Sequence, residues 1–309
     1  MTNARKKVAI LASGNILPGH PEQREDVFEL DEEIGKLRPA FADHGMDLSV
    51  INWRDAPLCA VEYDAMLPLF VWDYFEENEA EFLTAMAQVE KNTKLFNGFD
   101  ILKWNINKTY LDELSGLGAA TIPTITIDKV SQTRVLRAME ELDTTKIVIK
   151  PVIGGGAWRQ VLYEAGTPFP SADDLPPQGA LIQPFLPSVE EEGEYSFLYF
   201  GGSFSHALLK RPKAGDYRVQ SIYGGQEEAY TPTKEERAQA HAVLDVLDFT
   251  PLYARVDFLR GQNNRLWLIE LELIEPYLYL PFAEGERGDN KGAQKLAKAL
   301  ARKLAPKLA

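Results

Sequence analysis

Two stretches near the carboxyl end of the chain carry the apolar and β-branched residues that are typical of paired strands. They are Leu252–Arg260 and Arg265–Leu273, and the residues Gln262, Asn263 and Asn264 lie between them. This pattern predicts a β-hairpin, because strand-forming runs separated by turn residues fold back on each other. A two-residue turn at the two asparagines, which accept positive φ, would set the register of the hairpin.

That register predicts which side chains share one face of the hairpin. Asp257 lies opposite Glu270 and Arg255 lies opposite Glu272, so three carboxylates and one arginine converge on one patch. Like charges directly opposite each other destabilise a sheet, so the patch needs a cation. Hard oxygen ligands suit Mg²⁺, which proteins usually share with substrate phosphates. A solvated hairpin whose acids face water is the alternative that this patch alone leaves open.

The first hundred residues alternate short apolar runs with helical spacing. The predicted order is strand, helix, strand, strand, helix, over Val8–Ala12, Glu29–His44, Leu48–Trp53, Asp64–Trp72 and Glu76–Lys91. This order predicts a small open α/β domain over residues 1–103. Ligands of such sheets bind beyond the carboxyl ends of the strands, which points to Ser13–Asn15 and Trp72–Tyr74 as parts of a substrate pocket.

The middle of the chain mixes helices and strands without an internal repeat. The predicted helices are Thr109–Leu117, Ser131–Leu142 and Thr233–Leu247. The predicted strands are Thr121–Ile127, Lys146–Val152, Ala180–Leu186, and a hairpin of Glu194–Phe200 and Ser203–Lys210. A Gly201-Gly202 turn joins the two strands of that hairpin.

Two basic features in the middle of the chain have the chemistry of phosphate binding. Lys150 ends a predicted strand just before the glycine run 154–156, where backbone amides could approach a triphosphate closely. Lys210, Arg211 and Arg218 form a local basic patch in an acidic protein. Each feature has a plainer interpretation, a flexible turn for the glycines and a solvated loop for the patch.

The overall charge excludes one class of function. The 309 residues carry a net charge of −13, whereas sequence-independent nucleic-acid binding needs a basic field. The last stretch is an exception, because it is basic and repeats leucine every four residues, at Leu296, Leu300, Leu304 and Leu308. This pattern predicts one helix, either docked on its own domain or lying on a membrane surface.

Cysteine content and hydropathy predict where the protein works. The single cysteine, Cys59, excludes a disulfide framework within the chain and a cysteine-rich zinc site. No apolar run approaches the length of a transmembrane helix. We therefore expect a cytoplasmic protein with no membrane partner.

The order of the motifs is more specific than any one of them. Asn-x-x-Lys precedes a helix and is followed by the strand lysine with its glycine loop, then by QPFL and by GEYS opening a hairpin. After these come KRxxxGDYRxQ and ARVDF…IELE. In this order, over residues 104–280, the chain resembles the ATP-grasp superfamily. The segments WDY, WNINKTYL and IELELIEP are similar to the branch that contains D-cycloserine ligase, near the glutathione synthetases and ribosomal-protein glutamate ligases.

The resemblance implies the fold class α/β (α+β), with the ATP-grasp fold. An N-terminal open α/β domain over 1–103, on the substrate side, would precede two α+β lobes that clamp ATP. The small lobe, with the glycine loop, would span 104–187, and the large lobe, with the metal-binding hairpin, would span 188–309. Relatives of this kind often pair, so a homodimer is a further expectation.

The resemblance also implies a role for each matched residue. The residues that would bind the triphosphate are Lys108, Lys150, Gly154, Gly155 and Gly156. The residues that would line the adenine slot are Gln183, Phe185 and Leu186, with Glu194 accepting from the ribose. The residues that would contact phosphate or the transferring group are Lys210, Arg211, Arg218 and Gln220. Asp257, Glu270 and Glu272 would hold two Mg²⁺ ions, with Mn²⁺ as a substitute, and Arg255 would face the acyl-phosphate.

The implied activity is an ATP-dependent carboxylate–amine ligation or cyclisation. ATP would phosphorylate the carboxylate of an amino-acid-like small molecule, and an amine would displace phosphate to form a C–N bond. A small-molecule kinase with a stable phosphorylated product and a non-catalytic nucleotide-binding protein are the alternatives.

Two positions depart from the family pattern. Glu272 stands where the superfamily commonly has asparagine, and the added negative charge should tighten metal binding. Leu69, Phe70 and Val71 precede Trp72, where the ligase branch usually has an arginine for the substrate carboxylate. The sequence therefore assigns no residue to that contact.

Overall fold

The strands of the protein form three sheets. A computed structural model describes residues 4–76, 78–261, 264–285 and 289–306. In chain order the strands are β1 (Lys6–Ala12), β2 (Met46–Asn52), β3 (Ala65–Phe70), β4 (Lys94–Leu95), β5 (Ile125–Ile127), β6 (Lys146–Pro151), β7 (Val161–Glu164), β8 (Ala180–Pro184), β9 (Glu194–Phe200), β10 (Ser203–Arg211), β11 (Gln226–Tyr230), β12 (Tyr253–Arg260) and β13 (Leu266–Glu272).

The helices lie between and against these sheets. They are α1 (Phe28–Asp43), α2 (Ala56–Cys59), α3 (Glu79–Asn92), α4 (Phe99–Asn105), α5 (Tyr110–Gly116), α6 (Gln132–Glu141), α7 (Ser188–Glu191), α8 (Lys234–Asp245) and α9 (Lys291–Leu304). Helix α8 begins with a capping box, in which Thr233 and Glu236 satisfy each other's backbone amides. Ser131 caps α6 in the predicted place, accepting from the amide of Arg134.

The N-terminal sheet is parallel and has the strand order β2-β1-β3-β4. It confirms the predicted open α/β domain, with element bounds that differ by a few residues. The third strand ends at Phe70 rather than Trp72, because the chain turns over residues 71–76. Strand β3 is buried along its whole length, as expected for the centre of a parallel sheet.

The second sheet is antiparallel and has the order β5-β8-β6-β7. Its strand β6 carries Lys150 toward the glycine loop, as the sequence pattern predicts. The strand predicted from Thr121 begins only at Ile125, since Thr121 instead bridges to Leu268 of the third sheet. Strand β7 escaped the sequence analysis, because its four residues are too few to show a period.

The third sheet has the order β11-β10-β9-β12-β13 and holds the predicted metal-site hairpin, β12 and β13. Ser203 pairs with Phe200, which confirms the two-residue glycine turn, and both glycines have positive φ. The predicted face-to-face pairs of β12 and β13, Arg255 with Glu272 and Asp257 with Glu270, are also confirmed.

The predicted register of this hairpin is wrong at its other end. The register shifts after Asp257, so that Phe258 pairs with Leu268 and Arg260 pairs with Leu266. A β-bulge at Ile269 absorbs the extra residue and lengthens the connection between the strands. Gln262 and Asn263 lie outside the described residues, so the conformation of the connection itself is left aside.

Packing crosses the predicted domain boundaries at two places. Helix α5, assigned to the small lobe, packs Tyr110 and Leu114 into the core of the third sheet. Helix α9, assigned to the large lobe, packs Leu296 and Leu300 into a core shared with α1 and the N-terminal sheet. The division at 103 and 187 stays a prediction, and these contacts tie its parts together.

Helix α9 keeps its leucine stripe against the protein. Leu296, Leu300 and Leu304 are buried, which agrees with a docked terminal helix. Leu308 lies outside the described residues. Within the described part of the chain, we find no helix that is both long enough and apolar enough to cross a membrane.

Candidate active site

A cleft opens where the N-terminal domain, the glycine loop and the metal-site hairpin come together. Most of the predicted site residues line it, namely Lys108, Lys150, Gly154, Gly155, Gly156, Glu194, Lys210, Arg218, Gln220, Arg255, Asp257, Glu270 and Glu272. The other predicted residues, Arg211, Gln183, Phe185 and Leu186, do not line the cleft. Residues from distant parts of the sequence therefore share one site.

The three hairpin carboxylates form a compact set of oxygen ligands. One carboxylate oxygen from each of Asp257, Glu270 and Glu272 lies within 4.8 Å of the others. Asp257 is fully buried and lies 2.5 Å from the hydroxyl of Ser196 on β9. Adjacent strands place these side chains on one face, so the site is built into the sheet.

Arg255 bridges two of these carboxylates. Its Nε donates to Asp257 Oδ2 at 3.0 Å, and its Nη2 contacts Glu272. Burial opposes the charged form of Asp257, but Arg255 and Lys210 outweigh it and hold the pKa of Asp257 below its usual value. Burial raises the pKa of Glu272 well above its ordinary range, although Arg255 works against that rise. The set therefore has room for further positive charge.

Lys210 lies behind the same carboxylates and is 3% exposed. Its ammonium contacts Glu194, its cross-strand neighbour on β9, and lies 3.9 Å from Asp257 Oδ1. Burial works to lower the pKa of Lys210, but the two carboxylates raise it above its usual value. Lys210 therefore stays charged in the cleft.

Lys108 ties the glycine loop to the hairpin. Its ammonium donates to the carbonyl oxygen of Gly154 at 2.6 Å and lies 2.7 Å from Glu270 Oε1. Its backbone amide also donates to the carbonyl of Val152 at 2.8 Å. Burial disfavours the charged form, yet Glu270 raises the pKa of Lys108 above its usual value.

Close packing explains one of the loop's glycines, and backbone conformation explains another. A Cβ on Gly155 would lie 2.8 Å from the ring of Phe75, which belongs to the N-terminal domain. Gly156 has a φ of +56°, a conformation that favours glycine. The loop is thus shaped both by its own turn and by contact with the opposite wall of the cleft.

Lys150 differs from the other cleft lysines. Within the described residues it has no ion pair, whereas Lys108 and Lys210 each contact a carboxylate. Burial lowers the pKa of Lys150, and the nearby ammonium of Lys108 works in the same direction. An anionic ligand beside Lys150 would offset the free-energy cost of burying its charged form.

The residues predicted for the adenine slot form an apolar cluster beside the cleft. Phe185 and Leu186 pack against Val219 and Ile269, and the latter two line the cleft. Gln183 is buried beneath, and its amide donates to the hydroxyl of Thr124 at 3.0 Å. The bulge that shifts the hairpin register occurs at Ile269, in the wall of this cluster.

The basic patch divides between the cleft and the surface. Arg218 lines the cleft, donates to Asp216 at 2.7 Å and lies over the ring of Tyr223. Burial is minor there, and hydrogen bonding to Arg218 lowers the pKa of Asp216 to about 2. Arg211 lies outside the cleft and pairs with Glu228 at the surface, because neighbouring residues of a strand point to opposite faces. Its predicted contact with phosphate has no support in this arrangement.

The structure adds a group of N-terminal residues that sequence reasoning missed. Arg24 lines the cleft, holds Asp26 through two hydrogen bonds of 2.8 and 2.7 Å, and lies 5.4 Å from the ring of Trp72. It thus supplies a guanidinium beside Trp72, although no arginine directly precedes Trp72 in sequence. No local pattern marks Arg24, because it lies in a loop almost fifty residues earlier.

Two further carboxylates of the cleft were also missed. Glu29 accepts from the hydroxyl of Ser221 at 3.1 Å, which joins α1 to the loop that follows Gln220. Glu275 lies beside Trp72, whose indole nitrogen donates to the Glu275 backbone oxygen at 3.4 Å. Burial raises the pKa of each carboxyl to about 7. Glu275 lies in the IELELIEP segment, but the spacing of the acids in that segment does not show that Glu275 has a different role from Glu270 and Glu272.

Of the other predicted pocket residues, only Trp72 lines the cleft. Ser13 is buried and bonds the carbonyl of Phe70, and Asp73 accepts from the indole of Trp53 at 2.6 Å. Tyr74 is buried behind the lining, and its hydroxyl works to lower the pKa of the Glu275 carboxyl. Most of the strand ends are thus structural, and Trp72 is the part that lines the cleft.

The N-terminal domain matches a known family model. Residues 8–97 match the model described as the N-terminal domain of D-cycloserine synthetase DcsG. The chain is also 28% identical over 273 residues to the cycloserine biosynthesis protein DcsG of Streptomyces lavendulae, a match that covers 82% of this chain and 90% of that protein.

Solved structures extend the likeness to the whole fold. The crystal structure of D-cycloserine synthetase DcsG superposes with a TM-score of 0.82 and 25% identity, covering 97% of this chain and all of the other. D-alanine–D-alanine ligase from Bacillus anthracis, complexed with ATP, gives 0.66 and 14% identity over 97% of each chain. The ATP-grasp ligase PsnB, complexed with Mg and ADP, gives 0.63 and 16% identity over 98% of this chain and all of the other. The chain therefore has the ATP-grasp fold and is similar to D-cycloserine synthetase in both sequence and structure.

Proposed function

We propose that this ATP-dependent ligase phosphorylates the carboxylate of an amino-acid-like small molecule and joins the resulting acyl-phosphate to an amine. One observation carries the proposal. A single cleft combines three clustered carboxylates with Lys108, Lys150 and Lys210. Such a set suits phosphoryl transfer, which depends mainly on positioning and on neutralising charge.

The carboxylate cluster fits Mg²⁺. Its donors are all oxygens, and Glu272 is buried at a cost that a divalent cation would offset. Asp257, Glu270 and Glu272 would hold two ions, and Mn²⁺ would serve as a substitute because it accepts the same oxygen ligands. Bound there, Mg²⁺ would neutralise charge on the β- and γ-phosphates of ATP.

The chain's own cations would orient the nucleotide. Lys150 and Lys108 both line the cleft, and the glycine loop offers backbone amides beside them. The apolar cluster around Phe185 and Ile269 provides a surface for the adenine ring. Glu194, held by Lys210, would accept from the ribose hydroxyls.

The N-terminal wall would hold the substrate. Arg24 would bind a carboxylate or another anionic group beside Trp72, while Arg255 would face the acyl-phosphate. The likeness to D-cycloserine synthetase makes an intramolecular amine, and hence a cyclic product, our preferred form of the reaction.

The remaining expectations complete the proposal. A cytoplasmic location, no nucleic-acid or membrane partner and a homodimer follow from the composition and from the family resemblance. Light scattering on the purified chain tests the dimer, and a monomeric mass would reject it.

The experiment that tests the function measures release of ADP and phosphate with MgATP and hydroxylamine. A panel of amino acids that includes O-ureido-serine supplies the carboxylate, and hydroxylamine intercepts an acyl-phosphate as a hydroxamate. Hydroxamate that depends on one amino acid would establish the ligase chemistry and identify the acyl donor. A stable phosphorylated product would instead indicate a kinase. Binding of MgATP without turnover on any substrate would indicate a nucleotide-binding protein.

A further inference from the structure

The carboxylates of the cleft fall into two groups by their partners. Among the described residues, Asp26, Glu194 and the three metal-site acids each have a lysine or arginine within 4.0 Å. Glu29 and Glu275 line the same cleft without such a partner in the described chain. Burying a carboxylate without a cation is costly, so these two positions call for a functional explanation.

Glu275 is the better placed of the two for chemistry. It follows β13 by three residues, so it lies beside the metal-site hairpin, whereas Glu29 contacts Ser221 near a loop. The backbone oxygen of Glu275 accepts a hydrogen bond from Trp72, and the hydroxyl of Tyr74 is near enough to lower the pKa of the Glu275 side chain. Contacts from the N-terminal domain therefore fix a carboxylate between the substrate wall and the phosphate site.

We propose that Glu275 binds the attacking amino group of the substrate and accepts the proton that this group loses. The inference rests on the proposed function, because it names the residue that serves its second step. Among the described carboxylates that line the cleft, only Glu29 and Glu275 lack a cation, and Glu275 directly follows the hairpin, so we assign the proton to Glu275.

The step balances without a further reactant. The amine nitrogen attacks the carbonyl carbon of the acyl-phosphate and forms the C–N bond. The bond from that carbon to the phosphate oxygen breaks, and inorganic phosphate leaves with the electron pair. The proton from nitrogen passes to a carboxylate oxygen of Glu275, which returns it to water before the next turnover.

The surroundings of Glu275 suit this role near neutral pH. Burial raises the pKa of Glu275 to about 7, while the hydroxyl of Tyr74 and the ammonium of Lys108 work to lower it. The charge of Glu270 also raises the pKa of Glu275, and the charge of Arg255 lowers it. The carboxylate form is lost as the pH falls through about 7, so amide formation should fall on the acid side of that pH.

The test measures, in Glu275→Gln, two products of the same acyl-phosphate: the hydroxamate formed with hydroxylamine and the amide formed with the natural amine. The substrate is the panel amino acid that yields most hydroxamate with the wild type. Hydroxylamine is largely unprotonated at neutral pH and needs no base, so hydroxamate should stay within about threefold of the wild type. Formation of the natural amide product should fall about a hundredfold or more. The remaining rate of amide formation should no longer fall as the pH is lowered through about 7.

Two variants serve as controls. Glu29→Gln removes the other unpaired carboxylate and should keep the wild-type ratio of amide to hydroxamate. Tyr74→Phe removes the hydroxyl that lowers the pKa of Glu275, so the fall of amide formation on the acid side should move to higher pH. Thermal unfolding of each variant shows whether the fold is retained.

Each result decides between distinct conclusions. Equal loss of amide and hydroxamate in Glu275→Gln, with a lower unfolding temperature, would reduce Glu275 to a structural contact and overturn its role. A fall of the ratio in Glu29→Gln alone would assign the role to Glu29 and overturn it for Glu275. Absence of hydroxamate in the wild type would overturn the proposed function and this role together.

Discussion

The two ends of the cleft are built in different ways. At the hairpin end the carboxylates come from adjacent strands, and Arg255 and Lys210 already neutralise them. At the N-terminal end Arg24 and Glu29 lie just before and at the start of α1, whereas Glu275 follows β13 almost 250 residues later, and two of the three have no ion pair in the described chain. The hairpin carboxylates are thus paired before any ligand arrives, whereas Glu29 and Glu275 leave their charges open for one.

This difference matches what each end would bind. ATP and metal would be the same in every turnover, so a rigid sheet that fixes their ligands reduces the cost of reorganisation. A substrate differs from one ligase to another, and loops on a rigid scaffold can change their side chains without disturbing the sheet. The following substitutions test whether the two ends divide the work in this way.

The largest effect should follow from Asp257→Asn at the hairpin end. It removes one metal-site charge and leaves Arg255 and Lys210 facing a neutral side chain, so kcat should fall about a thousandfold. The measurement is ADP formation with saturating MgATP and substrate. Asp245→Asn, an exposed acid of α8, is the matched control and should keep wild-type turnover. Near-normal ADP formation in Asp257→Asn would reject the metal site.

A smaller effect should follow from Lys150→Ala. The ammonium has no ion pair in the described chain, so its main partner would be phosphate, and a charge-assisted hydrogen bond contributes about 1.5–3 kcal/mol. The Kd of MgATP should therefore rise about 10- to 150-fold, as calorimetric titration can show. Lys129→Ala removes an exposed lysine and should leave the Kd unchanged. Equal affinities in the two variants would remove Lys150 from the phosphate clamp.

Arg24→Ala tests the N-terminal end directly. We expect the KM of the substrate to rise about tenfold while the Kd of MgATP stays near the wild type, because Arg24 lies against Trp72 and away from the hairpin. Arg137→Ala, which breaks an exposed pair with Glu141, is the control. A weakened affinity for MgATP with an unchanged substrate KM would place Arg24 at the wrong end of the cleft.

The same contrast explains what the sequence could and could not predict. Asp257 and Glu270 could be paired from alternation alone, because both lie in strands that are neighbours in sequence and in space. The bulge at Ile269 could not be predicted from the sequence, because neither glycine nor proline marks its position. The role of Glu275 depends on its position beside Trp72 and Tyr74, which lie two hundred residues earlier in the chain. A local sequence pattern cannot predict that residues so far apart in sequence are neighbours in space.

Packing between domains was equally hidden. The leucine stripe of α9 predicted a helix but not its place against α1, because an amphipathic face shows only that something covers it. Strand β11 was missed for the opposite reason. Its sequence QEEAY is polar and mostly exposed, so pairing with β10 rather than burial makes it a strand.

The smallest effect, from Arg211→Ala, separates the structural assignment from the one that the family resemblance implies. Lys210 and Arg211 are neighbours on β10 and point to opposite faces, one into the cleft and the other to the surface. The Arg211 side chain is 47% exposed and pairs with Glu228, and exposed pairs contribute about 0–1 kcal/mol. We therefore expect less than a twofold change in kcat and in the Kd of MgATP, matching Glu228→Gln. A tenfold loss of kcat in Arg211→Ala, but not in Glu228→Gln, would contradict this assignment. It would show that the Arg211 side chain reaches the phosphates during turnover, as the family resemblance implies.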